Sequence, residues 1–103
     1  VTTLATVTLR YEHPRRGSIT EIEAGISDGD VVGSFAAAGA HFRLAAVVAE
    51  FAEVLRQSPF VDDAHADMAV LAAQAAAVAE DLATDPDAAD LVVLIDAARR
   101  LVR

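Results

Sequence analysis

The chain has 103 residues and a formal net charge of −8, which leaves room for one domain with a modest core. Sixteen acids face eight bases, all of them Arg, a balance that opposes binding to nucleic-acid phosphate or to an anionic membrane. Cysteine is absent, which removes disulfides, thiolate metal sites and cysteine nucleophiles.

Residues 3–12 alternate with period two. Ala5, Val7, Leu9 and Tyr11 share one face, and Thr6, Thr8, Arg10 and Glu12 share the other, the mark of a strand. His13-Pro14-Arg15-Arg16-Gly17-Ser18 reads as a turn, because Pro donates nothing to a ladder and Gly tolerates positive φ. Thr20, Ile22, Ala24 and Ile26 then alternate with Glu21 and Glu23, returning the chain as a hairpin partner with Arg10 opposite Glu21 or Glu23. Gly25, Ser27-Asp28-Gly29-Asp30 and Gly33-Ser34 read as a flexible connector.

A helical pattern follows, from Phe35 or Ala40 to Arg56. Leu44, Val47, Val48, Phe51, Val54 and Leu55 recur at three and four, Ser34 is an N-cap for an early start, and Gln57-Ser58-Pro59 ends the helix. A second helix begins after Asp62 or Asp63 and carries Met68, Leu71, Ala75, Val78 and Leu82 on a thin stripe flanked by Ala. Asp85-Pro86-Asp87 opens the third, with Asp85 as N-cap and Pro86 at the first helical position. Leu91, Leu94, Ile95, Ala98 and Leu101 or Val102 line that helix, and Arg99, Arg100 and Arg103 stand at its negative end. The expected fold is α+β: a β-hairpin and connector over 1–34, then an antiparallel three-helix bundle over 35–103, together forming a single domain. The side chains expected to hold it are Leu9, Tyr11, Phe42, Phe51, Leu55, Phe60, Leu71 and Leu94. A lone hairpin is marginal in water, so its strands are expected to join strands elsewhere in a longer parent, or to pair edge to edge in a homodimer of the fragment. The start at Val1, without Met, fits a piece of a longer protein.

No motif carries chemistry. Asp28-Gly29-Asp30 lacks the later Glu and the ligand count of a calcium loop and reads as a turn. Asp62, Asp63 and Asp67, like Asp85, Asp87 and Asp90, read as helix starts. His13, His41 and His65 are too far apart in sequence for a paired zinc motif, and Ser18, Ser34 and Ser58 lack a nucleophile elbow. With no Lys, a Walker phosphate loop is impossible, and no cofactor is expected.

One combination is more specific. Val7-Thr8-Leu9-Arg10-Tyr11 and Ile19-Thr20-Glu21-Ile22-Glu23 are followed by Ala40-His41-Phe42-Arg43-Leu44-Ala45-Ala46-Val47-Val48-Ala49-Glu50-Phe51, then by Leu55-Arg56-Gln57-Ser58-Pro59-Phe60 and Asp62-Asp63-Ala64. This series resembles the C-terminal domain of bacterial von Willebrand factor type A proteins. His41 stands where that family has an acid, Leu44 where it has an aromatic, Gln57 where it has Gly, and Ala66 near another aromatic place. The resemblance implies an accessory module for assembly or protein binding, not an enzyme. Its partner would be another protein or the upstream von Willebrand domain, with no nucleic acid and no direct membrane contact. It also implies an extracytoplasmic or cell-envelope parent. The metal loop of the von Willebrand domain, Asp-x-Ser-x-Ser, is absent from this chain. Arg43 and Arg56 belong to the matched motif, as structural groups pairing an acid or a helix end, or as interaction groups. The competing expectation is an enzyme or small-ligand domain with a pocket between hairpin and helices, marked by a buried Arg43 or His41.

Overall fold

The computed structural model describes residues 1–102. Two strands, β1 (Thr3–Glu12) and β2 (Ile19–Ser27), form an antiparallel hairpin, and three helices follow: α1 (Ala40–Leu55), α2 (Ala64–Asp81) and α3 (Pro86–Arg99). The chain divides into two compact units between Gly33 and Ser34.

In the first unit the register sets Leu9 opposite Ile22, Val7 opposite Ala24 and Arg10 opposite Glu21, with an irregularity between Thr3 and Ala5. Gly17 supplies the left-handed residue of the turn at φ 65°, which a side chain would strain. The His13 ring locks the same turn, its Nδ1 accepting from the Arg15 and Arg16 amides at 3.2 and 3.3 Å. Gly25, expected in the connector, lies within β2 opposite Thr6, because strand pairing continues to Ser27. A short 3₁₀ turn over Asp28–Asp30 closes the unit. There the Asp30 carboxylate accepts from the Ser27 amide at 2.8 Å and Asp28 from the Thr2 amide at 3.0 Å.

In the second unit Ser34 caps a separate 3₁₀ turn over Phe35–Ala37, its Oγ accepting from the Ala37 amide at 3.3 Å, and α1 starts only after Gly39. The end of α1 is made by Gln57, which sits in the left-handed region at φ 57°. Its amide donates to the Val54 carbonyl and the Ser58 amide to that of Glu53, both at 3.1 Å, which together form a Schellman cap. The stop therefore comes from Gln57, two residues before Pro59. Asp63 and Asp85 cap α2 and α3 by accepting from the Ala66 and Asp87 amides at 3.1 and 2.9 Å.

Antiparallel packing places α2 centrally: both α1 and α3 pack extensively on α2, while they scarcely meet each other. Val47, Phe51 and Val54 meet Met68, Leu71 and Ala75 and then Leu91 and Ile95 in one apolar core. Ala75 lets the helices approach closely. Ala88, which the apolar spacing did not single out, is buried as well, one turn before Leu91.

Of the eight side chains expected to hold the fold, Phe51 and Leu71 are buried and six are exposed. Leu9 and Tyr11 sit on a two-stranded sheet in which no residue reaches the buried class. Phe42 projects from the far side of α1, because the buried face is centred on Arg43, Val47, Phe51 and Val54. Leu55 and Leu94 lie about a quarter turn from their helices' buried faces, a consequence of 100° per residue. Phe60 points outward from the loop, where Ser58 is buried and Val61 half-buried instead.

Candidate interaction surfaces and the two motif arginines

Arg43 continues the buried stripe of α1 one turn back from Val47. A guanidinium in that position needs partners, since an unpaired buried charge is costly. Its Nε donates to the Ala38 carbonyl at 3.0 Å, and its Nη2 donates to Asp81 at the end of α2. The arginine thus ties the start of α1 to the end of α2 and to the 3₁₀ turn before it. Arg56 differs. It is exposed and pairs with Glu53 across one turn at 3.1 Å, an arrangement worth only a few tenths of a kcal/mol.

The other chemically suggestive residues stay apart. His41 and His65 are exposed on different helices, and His13 is spent on its turn. Asp28, Asp30, Asp63 and Asp85 are occupied by backbone amides. Among the described residues no three His, Asp or Glu side chains gather closely enough to hold a metal ion, and no helix is long and apolar enough to cross a membrane.

Two apolar surfaces remain. On the hairpin, Val7, Leu9 and Tyr11 of β1 lie beside Ile22 and Ile26 of β2 on one face, all exposed. On the helical unit, the gap between α1 and α3 opens as a cleft lined by Leu44, Val48 and Phe51 on one side and Leu91 and Leu94 on the other, with Asp87 and Asp90 at its lip. A second cleft continues toward the helix ends, lined by Leu55, Gln57, Ala98, Leu101 and their neighbours. A smaller aromatic patch, Phe35 against Phe42 with ring centres 6.5 Å apart, lies elsewhere on α1. Sequence periodicity placed Val48, Leu55 and Leu94 on helical faces but assigned them to the interior of the chain itself, and it carried the third helix on to Leu101, which lies in the turn after α3 ends at Arg99.

Among known families, residues 1–101 match the one described as "Uncharacterized protein YfbK, C-terminal". No curated protein and no solved structure gives a significant match.

Proposed function

The chain belongs to the family of YfbK C-terminal domains, and we propose that it serves as a non-catalytic accessory module of a von Willebrand factor type A protein. In this reading the hairpin completes a β-sheet with strands from the upstream part of the same parent, and the helical unit is presented for protein binding. The observation that carries it is the hairpin itself. Two strands of ten and nine residues expose apolar side chains on one face and open backbone groups along both edges. Such a hairpin gains little stability alone and much from a third strand or a covering layer. The family's description as the C-terminal part of a protein supports a parent of that kind.

Of the two marks of the ligand-pocket alternative, His41 is exposed and Arg43 is buried, but a ligand would also need the Arg43 guanidinium free. That guanidinium is instead committed to Asp81 and Ala38, which supports a structural role in the fold. A protein partner or the upstream domain is therefore the proposed occupant of the hairpin, and pairing of hairpin edges between two copies is its substitute in the isolated chain. An extracytoplasmic or envelope location for the parent follows from the von Willebrand reading alone.

Amide exchange provides the test. Residues 3–27 should exchange at least about a hundredfold more slowly in the parent protein than in this chain alone, because sheet completion raises the cost of local opening. Equal rates in both would defeat the reading.

A further inference from the structure

We propose that the cleft between α1 and α3 is a docking groove for one cationic amphipathic helix from a partner protein. Every lining residue belongs to the helical unit, so this inference stands or falls independently of how the hairpin is completed.

The spacing of the lining side chains comes first. Leu44, Val48, Phe51 and Leu55 on α1 are separated by four, three and four residues. On the α3 side, Leu91, Leu94 and Ala98 are separated by three and four, and Leu101 follows in the turn after the helix ends at Arg99. Alternation of three and four is the period of a seam that receives the knobs of another helix. Leu44, Val48 and Phe51 share one cleft with Leu91 and Leu94, and Leu55 shares the second with Ala98 and Leu101. Phe51 and Leu91 are shared with the core, while the rest of each stripe is left open in part: Val48 is 47 % exposed, Leu55 55 %, Leu94 59 % and Leu101 80 %. Because α1 and α3 each pack on α2 and scarcely on each other, one added helix completes a four-helix arrangement without moving the existing three.

The charge at the groove selects the occupant. Asp87 and Asp90 stand at its lip, and none of the residues lining either cleft is Arg or Lys. From Ser58 to Ala98 the chain has nine acids and no Arg or Lys, and Arg99 and Arg100 then follow between Ala98 and Leu101, so the acidic end of the groove is the one at the start of α3. A second copy seated in the groove would bring the same acidic lip against this one, which like-charge repulsion disfavours. A helix with Leu-type anchors and flanking Lys or Arg satisfies both the apolar floor and the two carboxylates. The aromatic pair Phe35–Phe42 lacks this repeat and is bordered by a single acid, Glu50.

The probe is a synthetic helix of about five turns, with Leu at heptad seam positions and Lys beside them, compared with the same peptide carrying Glu for Lys. Fluorescence anisotropy should register binding of the Lys peptide that weakens as salt rises, and no binding of the Glu peptide. The double substitution Val48→Glu/Leu94→Glu should weaken binding by at least about tenfold, as expected for loss of groove anchors. Asp87→Asn/Asp90→Asn should weaken it by about three- to tenfold and flatten the salt dependence. Leu9→Glu, on the hairpin, should leave it unchanged. In the unmutated protein, amide chemical-shift changes should fall on residues 44–55 and 87–101, a readout that does not depend on any variant folding. Equal binding of the Glu peptide, insensitivity to the groove substitutions, or shift changes elsewhere would overturn the proposal. So would a dimer of the chain alone that Leu94→Glu dissociates, which would put a second copy in the groove.

Discussion

The hairpin and the helical unit of this chain solve the problem of apolar surface in opposite ways. The helices carry their apolar side chains inward: Met68, Leu71 and Ile95 are almost wholly buried, and the buried Arg43 is paired with Asp81. The hairpin has regular strands, a well-formed turn and matched register, yet none of its residues is buried. Regular backbone pairing and a core are thus separable, and only the second confers independent stability. The helical unit itself combines both conditions, since its α2-facing sides are buried and its α1–α3 gap is open.

Core truncation breaks this contrast most strongly. Phe51→Ala and Leu71→Ala should each cost about 3–5 kcal/mol in urea unfolding, whereas Leu9→Ala in the same chain should change stability by less than about 0.5 kcal/mol. A loss below about 1 kcal/mol for Phe51→Ala would mean that the ring is not a core element. Next in size is the arginine tether. Asp81→Asn leaves the Arg43 guanidinium buried without its counter-charge, and calorimetry should record a loss of about 1–3 kcal/mol, reduced because Asp81 is itself half exposed. Arg56→Ala, by comparison, should be close to neutral. Removing the α3 cap by Asp85→Ala should cost about 0.5–2 kcal/mol, read from the same melting curves. The smallest effect has the opposite sign. Gln57→Gly relieves a left-handed residue and should raise stability by up to about 1 kcal/mol, the strain relief being offset by the greater freedom of Gly when unfolded. An unchanged or lowered midpoint would show that Gln57 makes a compensating contribution.

Local structure was largely legible in the residues. Alternation over 3–12 gave β1 at its observed ends, and Asp63, Asp85 and Pro86 marked helix starts by chemistry that acts within one turn. Gln57 stands where the resemblance expects Gly, and its positive φ is a conformation that Gly adopts without strain. What the residues did not convey was destination. Period two places Leu9, Tyr11 and Ile22 on one face, and period 3.6 groups Val48 with Leu55, but neither says whether the covering layer lies within the same chain. Burial of Arg43 was partly readable, because extending the Val47–Phe51 stripe back by four residues reaches it. Its partner Asp81, 38 residues away, was not, since the pairing arises only when α1 and α2 lie antiparallel.

The placement of the arginines has a practical consequence for proteolysis. Trypsin cuts after Arg or Lys, and this chain offers Arg10, Arg15 and Arg16 on the hairpin, all exposed. Across the helical unit, Arg43 lies buried beneath Asp81 and no further cleavage site occurs between Arg56 and Arg99. Brief digestion therefore reads the two units separately: cuts at Arg10, Arg15 and Arg16 report the hairpin, a cut at the exposed Arg56 reports the loop after α1, and protection of Arg43 reports the folded helices. Retention of the hairpin sites on addition of a partner would identify which unit that partner covers.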